Sequence, residues 1–222
     1  MKRWCVGAAL ALIILGIVSA YEENDILIID QFSSFDPKTH FPKHWRSKKN
    51  KGVGKYIVEE KDGNYVLHVK SRSENVAILK EFEFDLKEYP FLNWRWKVIE
   101  LPKNGDERYK RSVDSGASIY IIFKNPSIFS SKTLRYCWST TLPVGAIVTS
   151  PYYSGSKIIV VESGDKKVGR WVMEKRNVYL DFKKVFKDKE PEKVRAIAIL
   201  SDSDNTRSLA EAYYDDIFVS KR

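Results

Sequence analysis

Apolar residues recur mostly at every second position along this chain, in short runs separated by turn residues. A period of two is the mark of half-buried β-strands, whose side chains alternate between faces. It predicts strands at ILIID (26–30), KYIVEE (55–60), NYVLHVKS (64–71), AILKEFEFDL (77–86), FLNWRWKVIEL (91–101) and SGASIYIIFK (115–124). Further strands are predicted at TLRYCWST (133–140), GAIVTS (145–150), KIIVVES (157–163), VRAIAILS (194–201) and AEAYYDDIFVS (210–220). Lys61-Asp62-Gly63 reads as the Asp-Gly turn of a hairpin. Only YLDFKKVFK (179–187) has helical spacing, with Leu180, Val185 and Phe186 grouped on one side. Many short strands with one short helix predict an all-β fold, an antiparallel β-sandwich of the jelly-roll, galactose-binding-like kind. No repeat, low-complexity tract or Pro/Gly linker divides the chain, so a single domain is expected over residues 21–222.

Alternation also assigns faces. In FLNWRWKV, Trp94, Trp96 and Val98 share one side, and Asn93, Arg95 and Lys97 the other. In TLRYCWS, Leu134, Tyr136 and Trp138 oppose Arg135, Cys137 and Ser139. Such aromatics usually build a core, but aromatic faces also stack on sugar rings, which makes Trp138 a candidate ligand contact. If the two strands are neighbours, Arg95, Lys97 and Arg135 form an outer basic strip suited to carboxylate or phosphate groups. Tyr152 and Tyr153, displayed by the turn Pro151–Gly155, form a second candidate platform. Arg170 and Arg176 are candidates for orienting hydroxyl or acidic groups, and Asp181 is expected to pair with an arginine and brace the helix. The polar stretch 102–116 is the longest predicted loop.

The N-terminus changes the setting. Lys2 and Arg3 precede an apolar run, Val6 to Val18, and Val18-Ser19-Ala20 fits a small-residue cleavage site. Residues 1–20 therefore read as a secretory leader, with a periplasmic or secreted product and no transmembrane span after cleavage; a retained signal anchor is the alternative, for which the apolar run is short. Cys137 is then the one remaining cysteine, so no internal disulfide forms, and it reads as a buried thiol rather than a nucleophile. With only His40, His44 and His68 besides, no Cys–His zinc pattern exists. The net charge of +9 would suggest nucleic acid in a cytosolic protein. For a secreted chain it points instead to lipid head groups, lipopolysaccharide or acidic polysaccharides.

Acidic residues cluster near the C-terminus. Asp202-x-Asp204 opens like an EF-hand loop, but Arg207 and Tyr213 stand where glycine and glutamate are required. Asp202, Asp204 and Asn205 read first as turn-capping residues, and as metal ligands in the alternative. Asp30 and Asp216 could share an ion if the terminal strands are neighbours. Pairs such as Glu162 with Asp114, or Asp202 with Asp204, could serve glycoside hydrolysis. No nucleophile elbow, P-loop or dinucleotide fingerprint occurs.

Several segments, DSGASIYIIF, LRYCWS, VVESGDKKVGRWVMEKRNVYLDF and IAILSDSDNT followed by AYYDDI, together resemble a secreted bacterial family, domain of unknown function 3047. The resemblance runs from about Trp45 to the end. It implies family positions at Asp114, Trp138, Glu162, Trp171, Arg176, Asp181, Asp202, Asp204, Asn205 and Asp216. An early IIDQF and a late YYDDI also look like the paired terminal strands of calcium-containing jelly-roll carbohydrate-binding modules. That likeness implies a structural calcium held by Asp30 and Asp216. The resulting expectation is a monomeric, non-catalytic protein that binds a polysaccharide or envelope glycan. A polysaccharide lyase or glycoside hydrolase on the same scaffold, or a structural envelope protein without a small ligand, are the alternatives.

Overall fold

A computed structural model describes residues 25–124, 132–187 and 189–222, so the expected leader lies outside the described residues. The strands are β1 (Ile26–Asp30), β2 (Arg46–Ser47), β3 (Tyr56–Lys61), β4 (Asn64–Arg72), β5 (Ile78–Phe84), β6 (Phe91–Glu100), β7 (Ala117–Phe123), β8 (Thr133–Ser139), β9 (Ile147–Thr149), β10 (Ser156–Ser163), β11 (Val172–Asn177), β12 (Val194–Leu200) and β13 (Leu209–Ser220), with one helix, α1 (Val178–Val185). They form two sheets. A six-stranded sheet runs β11-β6-β13-β4-β3 with β1 also on β13, and a seven-stranded sheet runs β2-β5-β12-β7-β8-β10-β9. The sandwich is therefore as expected, but it is mixed, because β8 and β10 run parallel. Asp62 and Gly63 both sit at positive φ, 55° and 80°, the conformation a two-residue primed hairpin turn needs.

The two sheets meet through aromatics. Trp94 of β6 stacks on Tyr136 of β8 with ring centroids 5.5 Å apart, and Trp96 meets Trp138 at 6.1 Å. All four side chains are fully buried. The expectation that Trp138 contacts a ligand is thereby corrected: its ring lies between the sheets, and its indole N–H donates to the Gly164 carbonyl at 2.9 Å. The basic strip is corrected as well. β6 and β8 belong to different sheets, so Arg95 and Arg135 project from opposite outer faces of the sandwich.

Helix α1 also differs in its face. Leu180 is 60% exposed, while Val178, Asp181 and Phe182 are buried, with Phe182 edge-on to Phe123 of β7. Asn177 caps the helix by accepting the Leu180 N–H at 2.9 Å. Strand β11, immediately before it, is not visible in the apolar pattern, because VMEKRN carries three consecutive charged residues, Glu174, Lys175 and Arg176, and so no alternation.

Terminal strands β1 and β13 are neighbours, with Asp30 opposite Ile217. Asp30 and Asp216 nonetheless take different partners. Its carboxylate accepts the Phe32 N–H, the Trp45 indole N–H and the Lys80 ammonium, each at 2.7 Å. Lys80 comes from the other sheet and also donates to the Ile29 carbonyl at 2.6 Å. An ammonium thus occupies the place between the sheets where a structural calcium was expected. Asp216 instead pairs with Arg95 at 2.9 Å. Removing the ammonium with Lys80→Met leaves the Asp30 carboxylate largely buried without a cation, at a cost of about 3 kcal/mol. The melting temperature should fall by about 6–12 °C, whereas Asp216→Asn, at a half-exposed pair, should move it by only about 2 °C.

Candidate functional site

The outer face of the seven-stranded sheet carries a cleft, a cavity of about 430 Å³. Its floor follows from strand alternation: because Leu134 and Tyr136 point inward, Thr133 and Arg135 of β8 must point outward. They are joined there by Tyr120 and Ile122 of β7, Leu79 of β5, and Ala198 and Leu200 of β12. Tyr120 lies directly across the ladder from Arg135, whose guanidinium stands 5.2 Å from the Tyr120 ring centre. The chain then leaves β12 and places Asp202 beside Arg135, with Nη2 to Oδ1 at 3.2 Å. Arg135 also donates through Nε to Ser118 Oγ at 2.9 Å, and Asp202 accepts the Ser115 backbone N–H at 3.0 Å. Both side chains are buried, 4% and 2% exposed.

Loops make the rim. Tyr152 and Tyr153 rise from the 150–155 turn, Val113 from the long loop, and Asn75 from the β4–β5 connection. Tyr152 ties these loops together: its hydroxyl donates to the Lys110 carbonyl at 3.1 Å and accepts from Asn205 Nδ2 at 3.2 Å. Most of its ring remains open, 59% exposed. Gly155 is needed beneath Tyr153, because a Cβ there would fall 2.5 Å from the tyrosine ring.

Beside the cleft, the long loop plugs the rest of the β8 outer face. Glu107 is fully buried and accepts the Ser115 and Ser139 hydroxyls, each at 2.6 Å. Cys137 lies under the same plug, and burial pushes its thiol well above the ordinary range, so it does not act as a nucleophile. Asp114 reverses the expected turn chemistry. The 202–206 turn is capped from outside, by Asp114 accepting the Thr206 N–H at 2.7 Å and hydroxyl at 2.6 Å and the Asn205 N–H at 3.3 Å.

Asp114, Asp202 and Asp204 form a group whose carboxylate oxygens lie within 4.8 Å of one another. These three, with Asn205 Oδ1, are the oxygens that could hold a hard cation, since Asp204 Oδ1 and Asn205 Oδ1 are buried without a hydrogen-bond partner. The fit is partial, because the Arg135 guanidinium already flanks Asp202 and both Asp114 oxygens accept donors. Asp30 and Asp216 lie outside this group.

Of the residues expected to bind ligand, the fold brings Arg135, Tyr152 and Tyr153 to one cleft. Arg170 is exposed and lines no part of it. Arg176 braces the helix start, gripping Asp181 at 2.8 Å while Tyr136 donates to the same carboxylate at 2.7 Å. Arg176 borders a second, smaller cavity of about 150 Å³ at the sheet edge, beside Glu174. A bulge in β10 between Val160 and Glu162 turns Glu162 toward this edge, opposite Trp138. The acid that neighbours Glu162 is accordingly Glu174, not Asp114. Tyr120, Asn75 and Glu107 are not singled out by the sequence. Tyr120 alone carried a usable signal there, by alternating with the apolar Ile119 and Ile121 of its strand.

Comparison with known proteins places this chain. The model of DUF3047, described as a protein of unknown function, matches residues 43–218. No curated relative matches the sequence. Among solved structures, the family 11 carbohydrate-binding module of the cellulosomal cellulase Lic26A-Cel5E of Clostridium thermocellum is similar at 9% identity and a TM-score of 0.45, over 90% of this chain and 96% of that one. A non-crystalline-cellulose-specific module, CBM28, is similar at 11% identity and a TM-score of 0.44, over 83% and 92%. A cellulase derived from Cel12A of Rhodothermus marinus is similar at 13% identity and a TM-score of 0.40, over 80% and 96%. Among the described residues, no helix is long and apolar enough to cross a membrane.

The buried acids set a pH dependence. Burial, reinforced by the Asp114 carboxylate and only partly offset by Arg135, raises Asp202 to about 7. Burial, reinforced by Glu162, raises Glu174 to about 7. In both cases the folded chain holds a proton that the unfolded chain releases near its ordinary value, 3.8 for Asp and 4.5 for Glu. Their contribution to stability is therefore full below about pH 4 and is lost as pH rises to about 7. Thermal unfolding with a chelator present should show the midpoint falling across that window, with the slope flattened by Asp202→Asn and, separately, by Glu174→Gln.

Proposed function

The chain belongs to the DUF3047 family, whose function is unknown, and on the chemistry of its own cleft we propose that it is a periplasmic or secreted, non-catalytic glycan-binding protein. The observation that carries this reading is the Arg135–Asp202 pair, buried at the floor of an apolar cleft with Tyr152 and Tyr153 on the rim. Burying two charges together costs desolvation that their attraction seldom repays, so a hydrophobic pair would serve stability as well. A pair placed at a cleft floor has a different use, since sites for small ligands are mostly apolar with a few placed polar groups. Apolar C–H faces of a sugar ring suit the tyrosines, and its hydroxyls suit the guanidinium and carboxylate. The volume lies within the range of such sites.

The hydrolytic alternative gains less support. Of the acid pairs expected for it, Glu162 neighbours Glu174 rather than Asp114, and Asp202 is held by Arg135. Glu174 itself borders the cavity of about 150 Å³, smaller than the roughly 300–1,000 Å³ typical of ligand sites. Screening the protein on an array of neutral and acidic glycans is the direct test, and no binding to either class would overturn the proposal. For a glycan that binds, Tyr152→Ala should weaken affinity about tenfold, the value of one aromatic contact. Arg170→Ala, outside the cleft, should leave it unchanged in the same titration.

A further inference from the structure

We infer that the Arg135–Asp202 pair recognises two adjacent hydroxyls of an uncharged sugar, and that the cleft discriminates against uronates. The inference rests on the glycan-binding reading and deepens it by naming the ligand class. An arginine has five N–H donors and an aspartate accepts through two oxygens. Arg135 spends Nε on Ser118 and one Nη2 hydrogen on Asp202, and its remaining N–H groups have no protein acceptor among the described residues. Asp202 spends Oδ1 on Arg135 and on the Ser115 N–H, and its Oδ2 receives no hydrogen bond from a described residue. Both side chains are more than nine-tenths buried, and both line the cleft. The floor thus presents unmet donors next to an unmet acceptor.

These groups open onto the cleft, and a ligand that satisfies both kinds at once gains most. A hydroxyl is both donor and acceptor. Of two neighbouring ring hydroxyls, one can donate to Asp202 Oδ2 while the other accepts from Arg135. A uronate carboxylate only accepts. It would serve the arginine, but above about pH 7, where Asp202 is ionised, it would bring a further negative charge beside Asp202, Asp114 and Asp204, whose oxygens already lie within 4.8 Å of one another. Rejection by an unfavourable charge contact is a usual source of specificity. This runs against the net charge of +9, which by itself favours acidic polymers. At the cleft floor the nearest carboxylates decide, because repulsion at contact distance outweighs the attraction of screened surface lysines.

The test is titration of the wild-type protein at about pH 8.5, where Asp202 is ionised, with a chelator present, against oligosaccharides of β-1,4-glucan, β-1,4-mannan and β-1,4-galactan, and against oligogalacturonate and oligomannuronate. At least one neutral series should bind about tenfold or more tightly than either uronate. O-methylating the ring hydroxyls of that neutral ligand should abolish binding, a result that needs no protein variant. Asp202→Asn should weaken the neutral ligand and narrow the gap to the uronates. Uronates binding as tightly as every neutral series, or tight binding of the methylated ligand, would overturn the inference while leaving the glycan reading intact. Binding of neither class would overturn the reading, and the inference with it.

Discussion

The packing of Trp94 and Trp96 against Tyr136 and Trp138 is the contact on which the rest of the molecule depends. It joins the two sheets at their centre and fixes which side of β8 faces inward. Once Leu134, Tyr136 and Trp138 are committed to the core, a period of two leaves Arg135, Cys137 and Ser139 no choice of face. A one-residue slip would bury the guanidinium between the sheets and expose a tryptophan. The position of Arg135 at the cleft floor is in this sense a consequence of core packing.

That outer face is not an ordinary solvated surface. Arg135, Cys137 and Ser139 are all buried, because the long loop lays Glu107 and Val113 across the strand. Glu107 is satisfied by two hydroxyls and Asp114 by the 202–206 turn, so the loop is pinned at both acids. Tyr152 then joins the long loop to the same turn. The cleft is what remains uncovered. Its walls come from three loops and its floor from strands, an arrangement in which rigid elements place the polar groups and loops shape access.

Cations repeatedly act here as internal partners. Lys80 meets Asp30 between the sheets, Arg95 meets Asp215 and Asp216 on one outer face, and Arg135 meets Asp202 on the other. The basic excess of the chain is therefore a poor guide to its partners, since several of the cations nearest to function are already neutralised. Lys80 also accounts for the departure from an ion-bridged pair of terminal strands. It supplies the charge that Asp30 requires, and Asp216 has turned in a bulge toward Arg95.

The sequence by itself determined all strand positions but those of β2 and β11, the sandwich class, the Asp-Gly hairpin, and the inward faces of β6 and β8, because alternation and turn chemistry are local properties. It also brought Arg135, Tyr152 and Tyr153 into consideration, through their residue types on a strand face and a turn. Tertiary structure alone decided that β6 and β8 lie in opposite sheets, which dissolved the basic strip and buried Trp138. It alone decided that β10 runs parallel to β8, that the polar segment Val172–Asn177 is a strand, and that Leu180 faces solvent. It alone set Lys80 on Asp30, fifty residues away in the chain, and Asp202 on Arg135, sixty-seven away. Such pairings depend on strand order and on the path of loops, and neither leaves a periodic trace along a single chain.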